Sequence, residues 1–372
     1  MKSRDDHISE LFEDAAKQQK QEKQRRRIGF LCDPCEPLLP LQQPKAFYGE
    51  NPQFKNLIAK IIDFIHESEN DLLFLKGPRG SGKTVFAHIF KEYSQKLNVL
   101  ANYQDAATFF TERTVDPNET VSLNMELKSD IIFLDNAFYL HKTLARLLSL
   151  KSPADSPKII AIMDNTEFEI YRRLCIQSGD KTYQNFLSMP HLISSDIRDI
   201  LNRRLKVCYG GIDLPITEDE CQKIAKLSLG NPGVALRILK EIFTFSRRVE
   251  DIRYTFGINS KALKTFPLSK SPILREILVR EVHNDFLPPA KRRYLIHKEL
   301  TILMNKTKST ISHHLGDLLS GNLIYEQSTD RDLREKAYRP NRAIFGILER
   351  LAFELTFTED AYITFEGINR EK

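Results

Sequence analysis

The sequence has little of what marks a membrane or secreted protein. No apolar run approaches the length of a membrane-spanning segment, and no apolar stretch follows the amino terminus as in a secretory signal. The five cysteines are odd in number and scattered, which predicts reduced thiols inside a cell, in the cytoplasm or nucleoid, or in the nucleus of a eukaryote. No internal repeat is evident. A net charge of +5 permits a nucleic-acid partner without demonstrating one.

Evidence for a structural metal is also slight. Cys32 and Cys35 have the spacing of half a zinc site, but the other three cysteines stand singly, so no second pair completes it. His313 and His314 are neighbours on a predicted helix and point about 100° apart, which prevents easy chelation of one metal. We therefore expect no zinc site and read the two histidines as surface contacts.

A glycine-rich segment between a predicted strand and a predicted helix carries the main functional signal. Residues 77–84 follow the apolar run 72–75 and precede the helix-like run 85–90. In this setting glycines let backbone amides point at phosphates, while Lys83 reaches the β- and γ-phosphates and the Thr84 hydroxyl ligates magnesium. We therefore predict a Walker A loop that binds ATP and Mg²⁺. The predicted phosphate-binding residues are Gly77, Pro78, Arg79, Gly80, Ser81, Gly82, Lys83 and Thr84.

Two further apolar runs end in polar side chains, as parallel strands do beside a ligand site. The run 130–134 leads to Asp135, which we predict to hold magnesium opposite Thr84. The run 158–163 leads to Asn165, which we predict to sense the γ-phosphate; an Asx turn that closes the strand is the simpler interpretation, and both can hold together. The predicted catalytic residues are Lys83, Asp135, Asn136 and Asn165.

In this order the segments resemble the AAA+ ATPases, and within them the replication-initiator clade of archaeal origin-binding proteins and origin recognition complex subunits. The resemblance covers about residues 45–350. Within it, the stretch 47–51 before the amphipathic run 54–62 is similar to the entry segment that packs near adenine, which implies an adenine contact for Tyr48. The resemblance also implies that Arg237 reaches the triphosphate from a helical lid; a solvated arginine on a helix face is the alternative.

The sequence departs from the family pattern at two places. A glutamate follows the magnesium-binding aspartate in many such ATPases, but residue 136 here is asparagine, which can hold a water and cannot take its proton. We therefore expect slow hydrolysis that serves as a switch. The family also places an arginine finger after the sensor, yet residues 175–189 contain no arginine. The remaining candidates, each more typical of a solvated helix charge, are Arg172, Arg173, Arg203 and Arg204.

The carboxyl-terminal region predicts a winged helix. Ile311, Leu315, Leu318 and Leu319 share one helix face, which leaves Thr310, Ser312, His313 and His314 outward. The predicted elements are a helix at 297–304, a turn at 305–308, a helix at 309–319, and strands at 323–327 and 336–339 around a charged tip.

In a winged helix, small polar residues at the start of the second helix face the major groove, while lysines and arginines contact phosphates. Such contacts make affinity strongly salt-dependent. A protein-docking module is the alternative interpretation. The predicted DNA-binding residues are Lys306, Lys308, Ser309, Thr310, Ser312, His313, Arg331 and Arg334.

The predicted fold class is α/β, with a P-loop AAA+ parallel sheet sandwiched by helices, a small helical lid and a C-terminal winged-helix domain. The lid helices are predicted over 218–229 and 234–245. Basic residues before position 28 either contact DNA phosphates or only keep the chain in solution. The predicted segments are 1–44, a basic flexible tail and Pro-rich linker; 45–211, the ATPase core; 212–265, the lid; 266–355, the winged helix; and 356–372, a tail.

The resemblance implies a protein that binds ATP and double-stranded DNA in replication initiation, at origins or in recruiting a helicase or another protein, with ATP-dependent self-assembly. Two alternatives stay open. A signalling-type ATPase or ATP-gated transcriptional regulator is favoured by Asn136 and by the Gly-Asn-Pro-Gly turn at 230–233. A mobile-element transposition ATPase would bind DNA without sequence preference.

Overall fold

The structure is a computed structural model of the chain. It divides into two compact units, the first formed by Met1–Tyr48 with Leu192–Ile258 and the second by Gly49–His191 with Asn259–Lys372. Three predicted contact residues, Tyr48, Arg331 and Arg334, lie outside the described residues. The described residues are 32–42, 52–108, 129–140, 157–210, 214–245, 249, 263, 266, 268–328 and 335–354.

The described residues form α-helices and strands over most of their length. The α-helices are α1 Leu39–Gln42, α2 Pro52–Glu67, α3 Lys83–Tyr93, α4 Asn165–Ser178, α5 Ser194–Tyr209, α6 Glu218–Ser228, α7 Pro232–Phe245, α8 Ser271–Asp285, α9 His297–Met304, α10 Lys308–Ser320 and α11 Phe345–Glu349. The strands are β1 Leu72–Gly77, β2 Ala101–Asp105, β3 Ile131–Asp135, β4 Lys158–Asp164, β5 Phe186–Ser188, β6 Leu295–Ile296, β7 Ile324–Ser328 and β8 Lys336–Pro340. A last π-helical turn covers Arg350–Glu354. None of the described helices is both long and apolar enough to cross a membrane.

The second unit is built on a five-stranded parallel sheet in the order β2-β3-β4-β1-β5. The central strands β1, β3 and β4 are nearly continuous apolar runs, because both of their faces are buried. The glycine-rich loop follows β1, and Asp135 ends β3. This arrangement confirms the parallel α/β fold of the P-loop type predicted for the core.

Helices cover both faces of this sheet. Phe74 of β1 packs on Phe168 of α4, with ring centroids 5.5 Å apart, and Phe133 of β3 packs on Phe90 of α3 at 5.2 Å. The neighbours of Phe74 and Phe133 on β4 are consecutive residues, so the two rings point to opposite faces of the sheet. The sheet is therefore sandwiched between α3 and α4.

The carboxyl-terminal part of the second unit combines α8, α9 and α10 with an antiparallel sheet in the order β6-β8-β7. Helix α9 has the predicted bounds, and α10 begins one residue before its predicted start, because the Thr307 hydroxyl caps the helix by accepting the Thr310 N–H at 3.3 Å. The turn between the helices is closed by Asn305 in the left-handed conformation, at φ 48°.

One side chain on α10 departs from the prediction. His314 is buried, with 8% of its surface exposed, whereas the sequence analysis placed it outward. It follows Ile311 by three residues and precedes Leu318 by four, so it lies on the apolar face of the helix. Burial, together with the charge of Lys306, lowers the pKa of its imidazole.

A buried carboxylate joins α8 to β8. Glu281 is 1% exposed and accepts hydrogen bonds from Arg339 Nη2 and Arg342 Nε, both at 2.7 Å. We expect Glu281→Ala to lower the free energy of unfolding by about 2 kcal/mol, because two arginines lose their acceptor beside a partly buried strand. Urea denaturation measures this. Asp285→Ala removes only an exposed contact of Arg342, and an equal loss in that variant would contradict the prediction.

In the first unit, α5 packs against α6 and α7. Its last turn carries Cys208, which forms a disulfide with Cys32, the two Cα atoms being 4.9 Å apart. The expectation of reduced, single cysteines is therefore wrong for this pair. The two residues are 176 positions apart, so their proximity depends on tertiary packing. Of the described cysteines, Cys35, Cys175 and Cys221 are free and buried.

Arg204 has a structural role in the first unit. It is 4% exposed, and its guanidinium donates to the carbonyls of Glu36 at 2.7 Å and of Pro34 and Pro37 at 3.2 Å. It is neither a solvated helix charge nor accessible to a neighbouring molecule, so it is excluded as an arginine finger.

Candidate nucleotide-binding site

The loop between β1 and α3 has the backbone that phosphate binding requires. Gly80 and Gly82 have φ values of 81° and 94°, a left-handed region that L side chains rarely adopt. A side chain at Gly77 would place its Cβ 2.9 Å from the Cβ of Met189. Ser81 in the same loop has a buried hydroxyl without a hydrogen-bond partner among the described atoms. The loop therefore presents polar groups whose partners a phosphate can supply.

Lys83 begins α3 with its ammonium folded over this loop. Nζ donates to the carbonyls of Gly77 at 2.8 Å and Pro78 at 3.0 Å, and the residue is only 9% exposed. A buried ammonium on a glycine-rich loop fits a polyphosphate, which supplies the compensating negative charge.

The two predicted magnesium ligands lie together. Thr84 Oγ1 donates to Asp135 Oδ2 at 2.6 Å, and the Tyr103 hydroxyl donates to the same oxygen at 2.8 Å. Asp135 is 6% exposed and also accepts the Asn136 N–H through Oδ1 at 2.9 Å. No cluster of three or more His, Cys, Asp or Glu occurs in the described part of the chain. Such a site suits magnesium, which takes one or two protein oxygens and completes its shell with phosphate and water.

Tyr103 is a site residue that the sequence analysis missed. It lies on β2, and its ring stacks on His88 of α3 with centroids 3.8 Å apart. Burial and the nearby Asp135 carboxylate raise the pKa of its phenol, so it stays a hydrogen-bond donor to Asp135. A tyrosine within a mostly polar, half-buried strand has no motif that would reveal this position.

Asn136 adopts the left-handed conformation at φ 51° and turns its side chain toward β2. Its Nδ2 donates to Asp105 Oδ1 at 2.8 Å. Asp105 ends β2 and lies opposite Asp135 in the register of β2 and β3. The sequence analysis missed this carboxylate, because the end of β2 lies thirty residues from the Asp135 motif.

Asn165 is the first residue of α4. The turn at the strand end is made by Asp164, which caps the helix in a reciprocal capping box with Glu167. The Asn165 side chain is therefore not needed for the cap; its Nδ2 donates to Glu354 Oε1 at 2.9 Å. Asn165 is 5% exposed and lies at the carboxyl edge of the sheet. The sensor role stays a prediction.

Arg79 lies within the glycine-rich loop 77–84 that is predicted to bind phosphate, which we call the phosphate loop, and connects it to β4 and to the carboxyl-terminal part of the second unit. Its guanidinium donates to Asp164 Oδ2 at 2.8 and 3.1 Å and lies 4.6 Å from the ring centre of Phe345. Its backbone N–H donates to Glu349 Oε2 at 2.5 Å. A loop amide that the sequence assigns to phosphate is thus held by a carboxylate 270 positions away.

Glu349 is completely buried at the end of α11. Its other oxygen accepts the Thr166 N–H at 3.0 Å and the Thr166 hydroxyl at 2.6 Å. Burial raises the pKa of this carboxyl well above its ordinary value, and the charge of Asp164 adds to the effect, while Arg79 opposes it. Nothing in the sequence distinguishes Glu349 from other acidic residues.

The other arginines predicted for the site are placed as follows. Arg172 and Arg173 pair with Glu169, and Arg173 also donates to Glu276 of α8, so neither is simply solvated. Arg237 lies exposed on α7 in the first unit, and its contact with the triphosphate stays a prediction.

The predicted DNA-binding residues of the α9–α10 region share one exposed area. Lys306, Lys308, Ser309, Ser312 and His313 are exposed, and Thr310 is half-buried. We call these six residues the α10 polar surface.

No family model matches the sequence. Among solved structures, the chain is similar to the Thermotoga maritima RuvB Holliday junction branch migration motor, at 16% identity and a TM-score of 0.38, over 78% of this chain and 92% of that one. It is similar to Cdc6p of Pyrobaculum aerophilum, at 16% identity and a TM-score of 0.38, over 82% and 93%. It is also similar to the Aeropyrum pernix ORC1 protein solved in complex with DNA, at 16% identity and a TM-score of 0.40, over 88% and 97%. Identities and TM-scores this low carry no function from those proteins to this chain.

Proposed function

We propose that this protein is an AAA+ ATPase of the replication-initiator type, which binds double-stranded DNA through a carboxyl-terminal winged helix and whose grip on DNA is set by the bound nucleotide. The contact between Glu349 and the phosphate loop carries the proposal. It places a side chain of the carboxyl-terminal part on an amide that phosphate also requires.

A bound phosphate and the Glu349 carboxylate would compete for the backbone N–H of Arg79. A polyphosphate in the loop brings several negative charges close to the carboxylate that accepts the Arg79 N–H, and like charges in a buried site repel. ATP binding therefore weakens the attachment of α11 to the loop. The free energy of replacing the Glu349 contact by phosphate is the coupling free energy. Through it the bound nucleotide changes the position of the carboxyl-terminal helices.

Asn165 provides a second contact with the carboxyl-terminal part. Its Nδ2 donates one of its two N–H groups to Glu354, and a γ-phosphate would draw the same amide toward the nucleotide. Only a triphosphate offers this group an alternative acceptor, so the contact with Glu354 distinguishes ATP from ADP. His191 also lies 3.2 Å from Glu354 and keeps a partner for this carboxylate.

The chemistry at the nucleotide follows from the residues already described. Loop amides and Lys83 bind the phosphates, while Thr84 and Asp135 hold magnesium, which when bound neutralises charge on the phosphates. Tyr103 fixes the Asp135 carboxylate in this position.

The α10 polar surface supports DNA as the partner. Two lysines flank the start of the helix, and hydroxyls of Ser309, Thr310 and Ser312 follow them within one turn and a half. These are the residue types that contact phosphates and base edges from a recognition helix. A protein-docking role for this surface would not require the two lysines.

The test is fluorescence-polarisation binding to random duplex DNA with ATP, ADP or no nucleotide. We expect an affinity difference of about 10-fold between the ATP and ADP states of the wild type, a typical allosteric coupling. Alanine at both Lys306 and Lys308 should lower affinity in every state and reduce the slope of log affinity against log salt by about 2.

The matched control is alanine at both Lys55 and Lys60, which removes the same charge from exposed positions of α2. An equal effect of the two double variants would mean that only net charge matters. Wild-type binding that is indifferent to nucleotide would overturn the proposed switch.

A transcriptional regulator is the second candidate, because Asn136 stands where the family has its glutamate. Footprinting separates the two, since an initiator protects repeated origin elements and a regulator protects promoters. The first candidate is the replication initiator, and we propose helicase recruitment and ATP-dependent self-assembly as parts of that function.

A further inference from the structure

The pair formed by Asp105 and Asn136 is unusual for a site that must activate water. Residue 136, directly after the magnesium-binding aspartate, is an amide and cannot accept a proton. One hydrogen bond beyond that amide, 2.8 Å from its Nδ2, lies the carboxylate of Asp105. The two strands that end in Asp105 and Asp135 are paired in register at the carboxyl edge of the sheet, where ligands bind in such folds.

The hydrogen bonds of Asp105 fix its orientation. Oδ1 accepts both from Asn136 Nδ2 and from the Ala107 N–H, at 2.8 and 2.9 Å. Neither of these bonds uses Oδ2, and the residue is half-buried rather than enclosed. A carboxylate with one oxygen held by two donors and the other outside these bonds is arranged to receive a proton.

We propose that Asp105 is the general base for ATP hydrolysis and that Asn136 positions it, a division of labour that replaces a single acidic residue at position 136. The proposal rests on the ATPase function proposed above. In the step, the oxygen of a water forms a bond to the γ-phosphorus, the bond from that phosphorus to the β–γ bridging oxygen breaks, and ADP leaves with the electron pair. One proton of the water passes to Asp105 Oδ2 and then to solvent.

The test compares Asp105→Asn with the exchange variant Asp105→Asn/Asn136→Asp, which keeps one carboxylate and one amide but reverses their places. Single-turnover hydrolysis at saturating ATP is measured together with the dissociation constant of a fluorescent ATP analogue. We expect Asp105→Asn to hydrolyse about 100-fold more slowly at an unchanged dissociation constant, the usual contribution of a general base. The exchange variant should recover to within about 10-fold of the wild type.

The matched control is Asp71→Asn, an exposed aspartate at the amino-terminal end of β1, which should hydrolyse ATP at the wild-type rate. A readout other than turnover is the DNA affinity after ATP is added. In Asp105→Asn it should stay at the ATP value, while in the wild type it drifts to the ADP value as ATP is consumed.

Hydrolysis at the wild-type rate in Asp105→Asn would overturn the proposal. So would an equal loss of ATP affinity and hydrolysis rate in Asp105→Asn that the exchange variant does not recover. The proposal would also be overturned if the wild type bound ATP and did not hydrolyse it. Failure of the proposed function is recognised separately. If DNA binding did not depend on nucleotide, the proposed switch would fail, but the hydrolysis rates of the variants could still be compared.

Discussion

Lys83→Ala is expected to raise the dissociation constant for ATP by about 100-fold. The ammonium is buried above the phosphate loop, where it can make two hydrogen bonds to charged phosphate oxygens. Losing them costs about 3 kcal/mol, which is about 100-fold in affinity. Titration with a fluorescent ATP analogue measures the change.

The melting temperature is measured alongside, since the substitution leaves the carbonyls of Gly77 and Pro78 without this donor. Lys91→Ala, an exposed lysine on the same helix, is the control and should bind ATP with wild-type affinity. Wild-type affinity in Lys83→Ala with an unchanged melting temperature would mean that ATP does not bind at this loop.

Glu349→Ala is expected to have the second largest effect, on stability and on coupling together. The substitution leaves the N–H groups of Arg79 and Thr166 without their acceptor and opens a cavity beneath α11. We expect the free energy of unfolding to fall by about 3 kcal/mol, measured by urea denaturation. The difference in DNA affinity between the nucleotide-bound and nucleotide-free protein should shrink, because the contact that phosphate displaces is already gone, whereas the contact of Asn165 with Glu354 remains.

Glu349→Gln keeps the shape of the side chain and removes its charge. We expect the stability difference between this variant and the wild type to depend on pH. The pKa of Glu349 is raised in the folded protein, so the stability that this group contributes is complete below its unfolded pKa and is lost as pH rises through the raised value. The amide does not titrate. Relative to the wild type, the glutamine variant should therefore gain stability as pH increases, with Arg79 and Asp164 as the neighbouring charges. A stability difference that stays constant with pH would contradict the raised pKa.

The order of chemical motifs could be predicted because each one is local. A phosphate loop needs its glycines, lysine and threonine within eight positions, between a strand and a helix, and the structure confirms the expected P-loop sheet around it. Helix α9 and the capped start of α10 were predictable for the same reason, since the residues that begin and end them are neighbours in sequence.

The misplaced residues have a common cause. His314 was assigned outward from its polarity, but its spacing from Ile311 puts it on the buried face. Arg204 was assigned to solvent, but the backbone of residues 34–37 covers it. Cys208 was read as a single thiol because its partner, Cys32, is remote in sequence. In each case the prediction used the chemical type of the residue and its neighbours in sequence, whereas tertiary packing decided whether the side chain is buried and what it contacts.

The sequence by itself predicted the glycine-rich loop between β1 and α3, the acidic strand end at Asp135 and the α/β class of the core. These depend on backbone geometry and hydrophobic periodicity over a few residues. Only the tertiary structure decided that Glu349 holds the loop amide of Arg79, and that Asp105 lies beside Asn136. Such contacts join residues 270 and 31 positions apart, and the free energy that brings them together comes from burial of the whole apolar core rather than from any local pattern.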